Sequence, residues 1–222
     1  MAKREARSMG GNTRTTSSPA ASRRHPYGWY ALAMVALVVA GIAYAVYDRR
    51  NPSWREEVRL SDGRVIWIKQ KHQYFENYGT NQSWVTFSLP EMGGERTWHS
   101  YLTPQRVDVA NGRVFVFGFP RGDRQYAYYN YPRRYMVAFT WNGTDFQRIP
   151  FLQVPEALRG EENVLSCLPE ARKSKVSLAL KAQWWCPPQG DKKQFAKTID
   201  LSAYEALATS YSRRSGGAPL SE

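Results

Sequence analysis

The feature that most constrains this chain is a stretch without any charged side chain, which runs for 22 residues from Pro26 to Tyr47. About 20 mainly apolar residues in a helix are long enough to cross the roughly 30 Å hydrocarbon core of a bilayer. Aromatic side chains cluster at both ends of the stretch, where such rings lie among lipid headgroups. They are Tyr27, Trp29, Tyr30, Tyr44 and Tyr47. We therefore predict one transmembrane helix over residues 27–47.

The main alternative for this stretch is a cleaved signal peptide. Ala43-Tyr44-Ala45 has the small-x-small form of a cleavage site and follows an apolar run with a basic start. Against cleavage, the preceding polar segment is long for a signal peptide, and the aromatic flanks are typical of a membrane span. We favour an uncleaved signal anchor, whereas a mature N-terminus at Val46 would establish a soluble exported protein.

The orientation of the predicted span depends on the charges on its two sides. The segment 1–26 is polar, rich in Ser, Thr and Gly, and is predicted to be a disordered basic tail. Residues 1–28 carry six basic side chains and one acidic one, whereas Arg49, Arg50 and Arg55 follow the apolar stretch. Because positive charge favours the cytoplasmic side of a membrane, the whole tail gives the N-terminus a modest preference for the cytoplasm.

The two cysteines, Cys167 and Cys186, decide between the two orientations. With 18 residues between them, they can form a disulfide that stabilises a fold by roughly 3 kcal/mol in the chain-entropy model. Disulfides persist outside the cytosol. We therefore predict a disulfide between these cysteines and an inner (plasma) membrane location, with the folded domain in the periplasm or outside the cell. Two unrelated buried thiols are the alternative.

Three tight-turn signals organise the chain after the apolar stretch. Asp62-Gly63, Asn111-Gly112 and Asn142-Gly143 each lie between two segments that are rich in β-branched and aromatic residues. Such dipeptides tolerate the positive φ values of a tight hairpin turn. We therefore predict three β-hairpins, over residues 57–69, 105–119 and 135–149.

Further strands and two short helices complete the predicted domain. Residues 83–89 and 175–181 alternate apolar and polar side chains and are predicted to be strands. Residues 155–159 predict a turn or two of helix, and Ser202 with Glu205 forms a capping box that begins a helix ending near Tyr211.

These elements predict a mainly β fold, an antiparallel sandwich or barrel-like domain built from hairpins with a short C-terminal helix, preceded by one transmembrane helix. The domain is expected to cover residues 56–211. A linker over residues 48–55 and a disordered tail over residues 212–222 are expected on either side of it.

No motif of a known catalytic, metal or cofactor site occurs in the chain. P-loop, nucleophile-elbow, HExxH, EF-hand and CxxC patterns are all missing. His72 and His99 are the two histidines of the domain that could act as general acid or base. We expect no catalytic residue, no metal site and no cofactor, and we keep an envelope enzyme with an unrecognised site as the alternative.

The most unusual segment of the domain runs from Arg121 to Tyr135 and interleaves tyrosines with arginines. Tyrosine offers a flat ring with a hydroxyl group and arginine a planar set of donors, a combination that is typical of binding surfaces. The candidate surface comprises Tyr126, Tyr128, Tyr129, Tyr131, Arg133, Arg134 and Tyr135. The alternative is a strand whose alternate tyrosines pack inward, followed by a polar loop that Pro132 closes.

The formal net charge of +12 indicates an anionic partner. Since the basic tail lies next to an apolar stretch, we expect a lipid bilayer rather than nucleic acid, together with an unidentified protein or envelope polymer. The pairs Gly41/Ala45 and Ala36/Ala40 have the small-xxx-small spacing of helix dimers. They leave a weak homodimer through the span open. We thus expect a non-catalytic binding module of the cell envelope.

The segment Phe139–Pro150, FTWNGTDFQRIP, resembles a hairpin of uncharacterised bacterial envelope proteins. The resemblance covers about a dozen residues. It implies a bacterial envelope location and no particular activity.

The predicted orientation can be tested by labelling Cys167 and Cys186 in intact cells with a thiol reagent that does not cross membranes. We expect no labelling until a reductant is added, because the two thiols form a disulfide outside the cytosol. Free thiols that react only after the cytoplasm is opened would contradict the orientation.

Overall fold

The structure is a computed structural model that describes residues 27–75, 79–169, 174–183 and 198–222. It begins with one apolar helix, α1 (Tyr27–Arg50). Within α1, the candidate span Trp29–Arg50 contains an 18-residue stretch with a mean hydropathy of 2.1, none of which is buried. The helix is therefore long and apolar enough to span a membrane, a property that it shares with signal sequences.

The helix ends three residues later than predicted. Arg49 and Arg50 occupy its last turn, where positive charge is favourable near the free carbonyl groups. The Asn51 side chain donates a hydrogen bond to the Tyr47 carbonyl at 2.9 Å, and Pro52 follows. Since proline disfavours a helical conformation of the residue before it, α1 ends at this point.

The domain contains two sheets. Sheet 1 has the strand order β4-β3-β2-β1-β9, where β9 pairs in parallel with β1 and the other pairs are antiparallel. Its strands are β1 (Ser53–Arg59), β2 (Val65–Phe75), β3 (Gly79–Leu89), β4 (Gly94–Ser100) and β9 (Lys175–Val176). Sheet 2 is antiparallel, with the order β5-β6-β7-β8. Its strands are β5 (Thr103–Ala110), β6 (Arg113–Phe119), β7 (Val137–Trp141) and β8 (Phe146–Ile149).

Four helices accompany the strands in the described part of the chain. Besides α1, they are α2 (Asp123–Tyr128), α3 (Leu178–Gln183) and α4 (Leu201–Arg214). Short 3₁₀ turns lie at Pro90–Met92, Phe151–Gln153 and Glu156–Leu158. The predicted fold class, mainly β with a short C-terminal helix and one N-terminal apolar helix, is confirmed.

The three predicted hairpins are present, at β1–β2, β5–β6 and β7–β8. Their turns use positive backbone angles: φ is 88° at Gly63, 51° at Asn111 and 101° at Gly143. Glycine and asparagine adopt such angles at low cost. The local signal in the sequence therefore corresponds to the local geometry of each turn.

The main core lies between the two sheets. Val58, Val85 and Phe87 of sheet 1 pack in one cluster with Val107 and Val116 of sheet 2. The opposite face of sheet 2 is covered as well, because Phe115 and Phe117 pack with residues of the 3₁₀ turns and the start of α4. Sheet 1, by contrast, alternates buried and accessible side chains along β1 to β4. Strands β5 to β7 of sheet 2 are thus buried on both faces, whereas sheet 1 is buried on one.

The predicted strand over residues 175–181 is wrong beyond its first two residues. Only Lys175 and Val176 form β9, and α3 follows at once. Leu, Ala, Lys and Gln are strong helix formers. The Glu57 carboxylate accepts a hydrogen bond from the Leu178 N–H at 2.9 Å and so caps the new helix.

The predicted linker over residues 48–55 also differs from the structure. Its first three residues belong to α1, and its last three belong to β1, where residues 53–55 pair with residues 69–71 of β2. The buried Trp54 side chain anchors this end of β1. The connection between α1 and β1 therefore consists only of Asn51 and Pro52.

The C-terminal segment differs from the predicted capping box and disordered tail. Asp200 rather than Ser202 caps α4, since its side chain accepts hydrogen bonds from the N–H groups of Ser202 at 3.0 Å and Ala203 at 3.1 Å. Further on, the Ser221 N–H donates to the Tyr131 carbonyl, and the Arg133 N–H donates to the Ser221 carbonyl. Backbone hydrogen bonds thus hold residues that composition alone indicated to be disordered.

Gly118 of β6 offers a test of how closely sheet 2 is packed. A Cβ atom at this position would lie 2.2 Å from the backbone oxygen of Thr103. We expect Gly118→Ala to lower the free energy of unfolding by about 2 kcal/mol, because the two strands must move apart. Denaturant unfolding of the full chain in detergent measures this change.

The matched control is Gly160→Ala, since an added Cβ there meets no atom within 4 Å. We expect this variant to unfold within about 0.5 kcal/mol of the parent protein. Equal effects of the two substitutions would contradict the described packing of β5 against β6.

Candidate binding surface

The tyrosines of the predicted binding surface lie mostly inside the domain. The segment forms α2 and the following turn instead of a strand, and Tyr126, Tyr129 and Tyr135 are each at most 5% exposed. Burial raises the pKa of Tyr126 and of Tyr129 to about 12. These three side chains are core residues and do not reach the surface.

Tyr126 is the centre of an aromatic cluster that holds α4 against the domain. Its hydroxyl group donates to the Ala208 carbonyl at 3.1 Å. Its ring centroid lies 5.3 Å from that of Tyr131, 5.1 Å from that of Tyr135 and 5.5 Å from that of Tyr211. The interleaved tyrosines therefore bind another part of the same chain.

The remaining members of the predicted surface are more accessible, but their arginines have partners. Tyr128 is 66% exposed. Arg133 contacts the Glu205 carboxylate at 3.0 Å, and Arg134 contacts the Glu222 carboxylate at 3.3 Å. Both arginines thus form ion pairs within the chain, and Tyr128 is the most exposed ring of the predicted set.

His72 is fully buried in sheet 1. Its Nδ1 atom lies 3.2 Å from the Thr80 hydroxyl, and its Nε2 atom lies 2.7 Å from the Gln70 side-chain oxygen. Burial lowers the pKa of His72 to about 3. The imidazole is therefore neutral and out of reach of any substrate in solution.

A buried carboxylate continues this network. Glu56 of β1 accepts hydrogen bonds from the Gln70 side chain and from the Leu165 N–H, and it forms an ion pair with Lys181 of α3. All three side chains in this group are buried. Since each polar group has a partner within the fold, the network connects β1, β2 and α3 and leaves no group for a ligand.

His99 lies on the outer side of sheet 1. Its ring stacks on that of Trp84 with centroids 4.8 Å apart and an interplanar angle of 10°. Its Nε2 atom lies 2.8 Å from the side-chain oxygen of Gln82, and partial desolvation lowers the pKa of the ring. Its side-chain hydrogen bond within the described residues is thus to an amide, and it stands on an open sheet surface.

Cys167 is disulfide-bonded and lies beside the small cluster of Trp54, Leu165 and Val176. Cys186 lies outside the described residues, so the predicted pairing of Cys167 with Cys186 stays a prediction. In the described part of the chain, no group of three or more His, Cys, Asp and Glu side chains is placed to hold a metal ion.

The outward side of sheet 1 carries a group of accessible charged and aromatic side chains. We call it the open face and define it by the side chains that alternate with the buried ones in β1 to β4 and β9. Its charged members are Arg55, Glu57, Arg59, Lys69, Lys71, Glu95 and Lys175. Its ring-bearing members include Trp67, Phe75, Trp84 and His99.

Three cations of the open face lie directly opposite one another. Arg55 of β1 is the register partner of Lys69 in β2 on one side and of Lys175 in β9 on the other. All three are exposed, and none forms an ion pair with a described residue. Like charges in this arrangement destabilise a sheet. We refer to Lys175, Arg55 and Lys69 as the cation row.

The aromatic residues of the open face differ in accessibility. Trp84 lies between Lys71 and His99 in the register, with the Lys71 ammonium 5.0 Å from its ring centroid and His99 stacked on it. Trp67 is 49% exposed and makes no ring contact with the described residues. Trp67 is therefore the accessible indole of this surface.

Sequence reasoning missed the open face, although part of the signal was present. The period of two in β2 places Trp67, Lys69 and Lys71 on one side of the strand. The cation row, however, also needs the pairing of β1 with β9, because Arg55 and Lys175 are 120 positions apart in the chain. A local search for mixed aromatic and basic residues could not find it.

Comparisons with protein-family models, with curated proteins and with solved structures found no match for this chain.

The burial of His72 predicts a pH dependence of stability. Its pKa is about 3 in the folded protein and 6.5 in a model peptide, so the unfolded chain binds more protons between these values and stability falls as the pH drops. From pH 7 to pH 5 this one group should lower the free energy of unfolding by about 2 kcal/mol. Denaturant unfolding at both pH values measures the loss.

The variant His72→Gln removes the titrating group, so we expect the loss between pH 7 and pH 5 to shrink by about that amount. The control is His99→Gln, which removes a partly exposed imidazole and should reduce the pH dependence much less than His72→Gln does. If the two variants changed the pH dependence equally, the buried neutral state of His72 would be refuted.

Proposed function

We propose that this protein is a single-pass membrane protein of the cell envelope whose β domain is a non-catalytic binding module. The observation that carries the proposal is the open face of sheet 1, with its row of directly opposed cations that form no ion pair with any described residue. Because directly opposed like charges weaken a sheet, we expect a partner of opposite charge to compensate for the repulsion within the cation row.

The positions of the two domain histidines favour binding over catalysis. A general acid or base must come within hydrogen-bonding distance of the substrate. His72 is fully buried among neutral groups, and His99 stands on the open face next to an amide. Neither histidine lies in a cleft with a carboxylate partner among the described residues, which is the arrangement that an acid–base site needs.

Several features support an envelope location. The helix α1 is long and apolar enough for a span, and the basic residues before it favour a cytoplasmic N-terminus. The disulfide bond of Cys167 suits an oxidising compartment such as the periplasm. We accordingly infer that α1 is retained as a signal anchor in the inner (plasma) membrane and that the domain is extracytoplasmic.

The short connection after α1 keeps β1 close to the end of the helix. Only Asn51 and Pro52 separate Arg50 from Ser53, and this length of chain spans about 10 Å at most. Arg55 follows two residues later. A retained anchor would therefore confine the cation row to partners that are present near the membrane.

In-cell photo-crosslinking tests the proposed role of the open face. A photoreactive amino acid replaces Ser88, an exposed residue of β3 on the open face. The matched control position is Gln147, which is exposed on β8 of sheet 2. We expect adducts to form from position 88 and not from position 147, because the partner lies against sheet 1.

The same experiment is repeated with Arg55→Glu and Lys69→Glu, which reverse two charges of the cation row. We expect these substitutions to remove the adducts of position 88, since an anionic partner is then repelled. Equal adducts from both positions, or adducts that are insensitive to the charge reversal, would contradict the proposal.

A further inference from the structure

We infer that the partner of the open face is an acidic polysaccharide, which lies across the strands of sheet 1 with its anionic groups at the cation row. This inference rests on the proposed function, because it names the partner of the same surface. Three properties of the surface support it: its charge, its hydrogen-bonding groups and its single accessible indole.

The charge of the open face is unbalanced. The surface carries five cationic side chains and only two carboxylates. The cationic side chains are those of Arg55, Arg59, Lys69, Lys71 and Lys175. Of these carboxylates, Glu57 already accepts a hydrogen bond from the Leu178 N–H, and Glu95 lies in β4 at the far edge of the sheet. A polymer with regularly spaced negative groups would relieve the repulsion among neighbouring cations.

Hydroxyl groups continue the line of the cation row across the sheet. Lys69 pairs in register with Thr86 of β3, and Thr86 pairs with Thr97 of β4. The two hydroxyl groups lie 2.8 Å apart and both face outward. Hydroxyl groups donate and accept hydrogen bonds, so this half of the line suits the hydroxyl-rich ring of a sugar.

A set of side-chain amides lies next to the register row of Lys71 and Trp84, on the side away from the cation row. The side-chain oxygen of Gln73 accepts hydrogen bonds from Asn81 at 3.0 Å and from Gln82 at 2.5 Å. These contacts fix the orientation of the amides and leave acceptor and donor groups accessible at the surface. Preorganised polar groups bind a polar ligand at a lower entropic cost.

The aromatic residues favour a sugar over a nucleic acid. Single-stranded nucleic acids are bound by several aromatic platforms on which successive bases stack. On the open face, Trp84 is occupied by Lys71 and His99, so Trp67 is the one accessible indole among the described residues. An indole of this kind combines apolar ring faces with an N–H donor, which suits the mixed surface of one sugar ring.

The polar groups in the middle of the surface favour a polysaccharide over a lipid surface. Proteins that insert into a bilayer interface present a continuous apolar face next to basic residues. On the open face, Thr86 and Thr97 lie in the same row as Lys69, directly beside the row of Lys71 and Trp84. Five strands spaced about 4.8 Å apart give a surface about 19 Å wide, on which an extended chain can lie.

The test uses the full chain in nanodiscs of uncharged phosphatidylcholine, with polygalacturonate as the acidic probe and dextran as the neutral one. We expect the protein to bind polygalacturonate and not dextran. The double variant Arg55→Gln/Lys69→Gln should weaken binding roughly tenfold, because it removes two charge contacts. Biolayer interferometry measures the affinities.

The matched control is Arg113→Gln/Arg213→Gln, which removes the same net charge at two exposed positions away from sheet 1. We expect this variant to bind polygalacturonate as the parent does. Trp67→Ala should weaken binding, and Trp67→Phe should restore part of it, because a ring is again available for stacking. If both double variants lost affinity equally, binding would depend on net charge alone and the inference would be overturned.

Two further probes decide between classes of partner. Tighter binding to single-stranded DNA, or to vesicles that contain phosphatidylglycerol, than to polygalacturonate would overturn the inference in favour of that class. Capture of a protein by crosslinking from position 88, without binding to polygalacturonate, would overturn it as well and leave the proposed function intact. If no adduct formed from position 88 and polygalacturonate did not bind, both the inference and the proposed function would be refuted.

Discussion

The described domain depends on one buried carboxylate, that of Glu56 in β1. Its partners come from three other segments: Gln70 in β2, the Leu165 N–H and Lys181 in α3. An unpaired charge at this depth would cost several kcal/mol, so these segments must assemble around it together. Since side chains alternate along a strand, the inward position of Glu56 sets Arg55 and Glu57 outward. The interior of sheet 1 thereby fixes which charges the open face presents.

The two sheets differ in how they are covered by the rest of the domain. Sheet 2 is covered on one side by sheet 1 and on the other by α4 and the 3₁₀ turns. The tyrosine cluster around Tyr126 holds α4 in place. Because sheet 2 takes up the covering elements, the outer side of sheet 1 stays accessible. The segment from Arg121 to Tyr135, which the sequence predicted to be a binding surface, therefore holds α4 on sheet 2. As a result, the open face of sheet 1 stays accessible.

The sequence predicts the parts of this fold that depend on neighbouring residues. Asp62-Gly63 and the two Asn-Gly pairs specify their turns locally, so the three hairpins were predictable. The helix α3 was not, because the spacing of its leucines also fits a strand and the choice depends on contacts of Glu57 and Lys181 with distant elements. The burial of Tyr126 likewise depends on Ala208, which lies 82 positions later in the chain.

The open face also determines which substitutions can alter binding without disturbing the fold. Its side chains contribute little to the core, because the buried residues of sheet 1 all point the other way. Substitutions at Lys69, Thr86 or Trp67 can therefore alter what the surface binds while the fold stays the same. Related chains can thus diverge in ligand preference on an unchanged scaffold, with sequence variation concentrated on alternate positions of β1 to β4.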